Sequence, residues 1–145
     1  MQKLAFMREF FDEVWENGNF AFAEKRINEE FKMEAMGEDV VFPRKDFPDL
    51  VAAFRSLTGP PRISFLHHME SGDWITIRFR LTSDGPDGAT PINVLGMMMT
   101  RIEGNRITEN YTQFEYVQLF EQLGLLPRDA LAALMSRTRL VWEAD

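Results

Sequence analysis

Glu115, preceded at two-residue steps by Gln113 and Tyr111, is the constellation in this chain best suited to acid–base chemistry. In an extended segment that spacing puts all three side chains on one face. A carboxylate so placed can take a proton from the carbon beside a carbonyl and return it to a new alkoxide. A neighbouring amide and phenol can donate hydrogen bonds to the oxygen that gains charge. Packed among Phe and Met, such a carboxylate keeps its proton to higher pH than in water, because burial disfavours the charged form. A plainer role is equally open. Glu115 stands where a strand gives way to a helix, and an acid there stabilises the helix N-terminus.

His67 is the second candidate, as an acid or base working near neutral pH, on the face of its strand shared with Ile63 and Phe65. The alternative is a half-buried structural histidine. His68 points to the opposite face, so the pair cannot chelate one metal in regular strand geometry. With no acid at ligand spacing, no metal site is expected, and no cofactor is expected either. Glu34 and Asp39 are candidate second acids at the mouth of a pocket, with a solvated position as the bland reading. Arg78 and Arg80 face away from Ile77 and Phe79, toward solvent or an interface.

The elements that must position these groups follow from periodicity. Residues 3 to 16 read as an amphipathic helix, with Leu4, Met7, Phe11, Val14 and Trp15 recurring at three- and four-residue steps. Gly18 ends it, and Asn19 starts a second helix over about residues 20 to 29. Residues 31 to 36 alternate as a short strand, and 37 to 45 read as a loop. Asp46 begins a third helix with Pro48 in its first turn, where a missing N–H costs nothing. Strands are expected over 62 to 70, 74 to 83, 92 to 102 and from 106 to about 115, joined by polar turns. A further helix follows from Val117. Another starts at Leu126-Pro127, and Leu140-Val141-Trp142 suggests a tail that docks.

The strand over 92 to 102 is apolar on both faces: Ile92, Val94, Gly96, Met98 and Ile102 on one, Leu95, Met97 and Met99 on the other. An antiparallel strand with one wet face alternates instead, as residues 75 to 82 do. Something covers each face, and a second copy of the chain is the simplest cover for one of them. The alternative is the chain's own C-terminal tail.

At 145 residues the chain reads as a single domain spanning 1–145. Its 13 Phe and 9 Met suggest an adaptable apolar interior. A net charge of −7, with no basic stripe, argues against nucleic acid and against an anionic membrane surface. The absence of cysteine excludes thiol chemistry and disulfides. No apolar run approaches the ~20 residues of a membrane span, and no signal peptide is read at the N-terminus. The expected location is cytoplasmic.

Four motifs carry a resemblance: Trp15-Glu16-Asn17-Gly18-Asn19, Gly72-Asp73-Trp74-Ile75, Gly104-Asn105-Arg106-Ile107-Thr108-Glu109, and Gln122-Leu123-Gly124-Leu125-Leu126-Pro127. In this order, over roughly residues 6 to 127, the chain resembles the SnoaL-like polyketide cyclases of the nuclear transport factor 2-like superfamily. The resemblance implies an α+β fold. This is the nuclear transport factor 2-like cone, a cystatin-like α+β barrel in which a curved, mainly antiparallel sheet wraps N-terminal helices and leaves a pocket. The family's cyclases use an Asp near the end of the last strand as acid and base for an aldol ring closure. Glu115 holds the matching position, one methylene longer. The ketosteroid isomerases of the fold use a Tyr in the first helix, where this chain has Phe10, Phe11 and Trp15. The expected pocket lining is Tyr111, Gln113, Trp15, Phe11, Phe65 and Met98, with Glu115 and His67 as the reactive pair. The expected ligand is a small hydrophobic molecule with a carbonyl, to be cyclised, isomerised, dehydrated, or simply held by a dimeric module.

Overall fold

The computed structural model describes residues 2–35, 37–141 and 143. Helix α1 (Lys3–Phe10) runs without a break into one π-helical stretch, Phe11–Glu16. Then come α2 (Phe20–Arg26), β1 (Ile27–Ala35), β2 (Glu38–Pro43) and, after a short 3-10 turn, α3 (Phe47–Thr58). The second half is β3 (Arg62–Ser71), β4 (Trp74–Ser83), β5 (Ile92–Glu103), β6 (Arg106–Phe114), α4 (Tyr116–Gln122) and α5 (Ala130–Met135). The six strands form one curved, unclosed sheet in the order β2-β1-β6-β5-β4-β3. Only β1 and β6 run parallel; the other neighbours are antiparallel. Its concave face packs on α1, the π-helical stretch and α3.

Two elements differ from the sequence reading. The second helix ends at Arg26, and β1 starts at once with Ile27, four residues before the expected strand. Residues 38 to 43 form β2, which pairs with β1, where a loop was expected. Val40, Val41 and Phe42 are β-formers, but the segment is too short and too exposed to show alternation. Met36, assigned to the expected strand, and Trp142, assigned to a docked tail, lie outside the described residues. In α5 only Ala130 is buried; Leu131, Leu134 and Met135 are exposed.

Three of the motifs behind the resemblance supply residues that serve the fold. Gly18, at φ 71°, ends the first helical run, and the Arg55 guanidinium donates to the carbonyls of Trp15 (2.5 Å) and Glu16 (2.6 Å) there. A cation at that end also suits the helix dipole. Gly104 and Asn105, at φ 55° and 61°, make the two-residue turn that joins β5 to β6. Gln122 acts as a piece of backbone. Its Oε1 accepts from the Asn93 N–H (2.8 Å), and its Nε2 donates to the Asn93 carbonyl (3.0 Å), which clamps α4 to β5.

Gly96 matters for space rather than for conformation. It pairs with Phe79 on one side and Phe114 on the other. The two rings stack over it at 6.0 Å. A Cβ at this position would lie 2.4 Å from Phe79 Cζ and 2.9 Å from Phe114 Cδ2.

Candidate functional site

Between the concave face and the helices lies a cavity of about 180 Å³. Its walls are mostly rings: Phe10, Phe11 and Trp15 from the first helical run, Phe31 from β1, Phe47 and Phe54 from α3, Phe79 from β4 and Phe114 from β6. Trp15 stacks on Phe11 and meets Phe47 and Phe54 edge-on. Met7, Met33 and Met98 fill between them. Three residues with polar side chains on the inner face join this lining among the described residues, Asn110, Thr112 and Tyr116; Glu34 borders it at the rim, with its carboxylate bonded to Gln113.

The first helical run is held over the cavity by a polar lock. Arg8 bonds Asp12 (3.0 Å), Glu16 (2.7 Å) and the Ile63 carbonyl (2.5 Å), and its guanidinium lies 4.4 Å from the Phe65 ring centre. Glu16 Oε1 accepts from the Ile63 N–H at 3.1 Å. Burial, with a further push from the Asp12 side chain, raises the Glu16 carboxyl above its ordinary value; the Ile63 N–H and Arg8 oppose this in part.

Phe11, Trp15 and Met98 line the cavity. Glu115, Gln113, Tyr111, His67 and Phe65 do not, and two bulges account for most of the difference. In β6, Ile102 faces Ile107 while Arg101 faces Glu109, so Thr108 is one residue too many. Before it, odd-numbered Ile107 points inward. After it, even-numbered Asn110, Thr112 and Phe114 point inward, and Tyr111, Gln113 and Glu115 are turned to the convex face. In β3 the register slips between Phe65 and His67, leaving Leu66 extra. His67 therefore leaves the face of Ile63. Both His67 and His68 are exposed on this edge strand. Phe65 packs against the edge of Phe11 (5.7 Å), outside the lining.

On the convex face the chemistry-bearing groups engage one another. Tyr111 donates to Glu109 Oε1 at 2.7 Å, and Arg101 donates to Glu109 Oε2 at 3.1 Å. These bonds hold the Glu109 carboxyl below its usual range. The Tyr111 phenol is pushed up to about 12, chiefly by its bond to that carboxylate. Gln113 reaches across to Glu34 Oε2 at 2.5 Å. Glu115 is solvent-exposed at the N-cap position of α4, and its side chain makes no capping bond. The burial that its expected acid–base role rested on is absent.

Asn110 and Thr112, which the sequence reading passed over, are the polar groups of the inner wall. Thr100 Oγ1, fully buried, donates to Asn110 Oδ1 at 2.9 Å. Asn110 Nδ2 meets only Thr112 Oγ1, at 3.5 Å, among the described residues. Tyr116, 49% exposed, joins the lining beside Phe114 and Phe120, with partial burial raising its phenol above the ordinary value. A signal for this arrangement exists in the sequence. Ile107 and Phe114 have opposite parity, so both can face a core only if the strand between them contains a bulge.

The model of the SnoaL-like polyketide cyclase family matches residues 5–123. The chain belongs to this family. Among solved structures, one from Acidithiobacillus ferrooxidans, provisionally assigned as a polyketide cyclase, superposes with a TM-score of 0.72 at 18% identity. That match covers 83% of this chain and 93% of the other. TsrD from Streptomyces laurentii matches with a TM-score of 0.71 at 14% identity, over 85% and 95%. A Catenulispora acidiphila protein with a ketosteroid isomerase-like fold, in complex with trimethylamine, matches at 0.65 and 19%, over 82% and 92%. These superpositions establish a shared fold. Among curated proteins none matches the chain. Among the described residues, no helix is long and apolar enough to cross a membrane.

Proposed function

We propose that this SnoaL-like chain binds a small apolar carbonyl compound in the concave cavity, with Glu34 as the group that moves a proton beside the carbonyl. One observation carries the reading: a ring-lined cavity with a few polar groups gathered on β1, β6 and the start of α4. Glu34 is the carboxylate at the rim among the described residues; its Oε2 is bonded to Gln113 on the convex side, so this role requires the side chain to turn from Gln113 toward the cavity. Glu115, on the other face, takes no part in this chemistry.

A second reading is supported by the position of Glu34 at the rim, since the inner wall offers only amide and hydroxyl groups. In that reading the cavity holds its ligand without reaction. Exchange of the methyl protons of acetophenone in D₂O, followed by NMR, separates the two. Catalysis predicts acceleration by the wild type, a loss of about 10²-fold or more in Glu34→Gln, and no change in Glu115→Gln. Saturable binding without exchange leaves the non-catalytic holder. Loss of exchange in Glu115→Gln would restore the role expected from the family resemblance.

The convex face supports a homodimer. Met97 and Met99 are 48% and 44% exposed beside Leu95. Arg78 on β4 and Glu115 after β6 flank this row on opposite sides. A twofold axis running along β5 would lay each against the other's counterpart. A patch of this kind is seldom left to water. Sedimentation should find a dimer at micromolar concentration and a monomer for Met97→Glu. A monomeric wild type would sink this part of the reading.

A further inference from the structure

Two features of the cavity narrow its occupant. The first is size. A dry apolar cavity of ~150 Å³ accepts one benzene ring, so about 180 Å³ leaves room for one ring and a short arm. The wall cannot retreat easily on the β4–β5–β6 side. Phe79 and Phe114 are stacked over Gly96, and Phe54 meets Phe114 edge-on at 5.8 Å. The second feature is an underused donor. Thr100 fixes Asn110 by donating to its Oδ1, which turns Nδ2 into the free end of the amide. Its contact with Thr112 Oγ1, at 3.5 Å, is at the limit of a hydrogen bond. A donor in an otherwise ring-lined wall calls for an acceptor from the ligand.

We infer that the cavity is built for a single-ring ketone or aldehyde, its carbonyl oxygen taken by Asn110 Nδ2 and its ring held among Phe54, Phe79 and Phe114. This rests on the cavity-binding reading above and restricts it. Compounds with two or more fused rings are excluded by volume. Ring hydrocarbons of the same size bind more weakly, because they leave the Asn110 amide unpaired. Asn110 is thus a specificity-determining residue on β6, and Phe54, from α3, sets the depth of the site.

Calorimetric titration of the intact chain with three probes tests this: acetophenone, ethylbenzene and 2-acetylnaphthalene. The wild type should bind acetophenone roughly 3- to 10-fold more tightly than ethylbenzene, the worth of one ordinary hydrogen bond. It should show no saturable binding of 2-acetylnaphthalene. Asn110→Asp keeps an acceptor for Thr100 but removes the donor, so the preference for acetophenone should vanish. Phe54→Ala should admit 2-acetylnaphthalene. The wild-type series decides the matter even if a variant fails to fold. Equal binding of acetophenone and ethylbenzene, or of acetophenone and 2-acetylnaphthalene, overturns the inference and leaves the cavity reading standing. If none of the three binds the wild type or Phe54→Ala, the cavity reading falls with it.

Discussion

Met97, Met98 and Met99 are consecutive residues of one strand, and they belong to two different environments. Met98 is 2% exposed on the concave side, among the rings that line the cavity. Its neighbours stand half in water on the convex side. The same division runs along β6, with Asn110, Thr112 and Phe114 facing in and Tyr111, Gln113 and Glu115 facing out. The convex face has the residue types that look reactive, yet most of them are already bonded, as Tyr111 is to Glu109 and Glu109 to Arg101. The concave face has fewer polar groups, but one of them is an amide with little to bond. Residue type marks where chemistry is possible; an unspent hydrogen bond beside a cavity marks where a ligand has something to do.

The largest effect expected from this contrast is on stability. Met98→Ala should cost ~2–5 kcal/mol, as for other large core truncations. Glu115→Gln, on the exposed face, should stay within about 0.5 kcal/mol. Urea unfolding of the two variants at one protein concentration measures both. Similar costs would mean that the two faces are not as different as their exposure implies.

Gly96→Ala comes next. The added methyl has nowhere to go between Phe79 and Phe114, and overpacking of this kind costs ~1–3 kcal/mol. The expected loss appears in the same unfolding experiment. A neutral or stabilising result would show that the stacked pair can part, and with it the wall that limits the cavity.

The smallest effect concerns pH. The Glu16 carboxyl is raised in the folded state, first by burial. A raised acid favours the folded state at low pH. Its contribution is full below the unfolded value and is lost as pH rises through the folded one. Wild-type stability relative to Glu16→Gln should therefore fall as pH rises above about 4. The opposite slope would mean that Arg8 and the Ile63 N–H outweigh burial.

Legibility in the sequence followed the same division. The alternation of Ile75, Ile77, Phe79 and Leu81 gives the inward face of β4 directly, and all four are buried. The family motifs were readable because they are punctuation: Gly18 and Gly104 need positive φ, and Gln122 clamps a strand. These three residues do not line the cavity, although Trp15 and Ile107 of the same motifs do. Tyr111, Gln113 and Glu115 lie off the cavity because their face is set by one extra residue, Thr108, and a bulge has no composition of its own. Likewise the slip after Phe65 moved His67 off the apolar face. Strand β2, at an exposed edge, had no pattern to read.

The central claim is that a ligand enters the concave side, and the methionines can report on it directly. Titration of ¹³C-methyl-methionine-labelled protein with acetophenone, followed by NMR, resolves the two faces. Met7, Met33 and Met98 line the cavity, so their methyl signals should shift and saturate together, while those of Met97 and Met99 stay in place. Saturating shifts at Met97 and Met99 with none at Met98 would contradict the account and put the site on the convex face with Glu115.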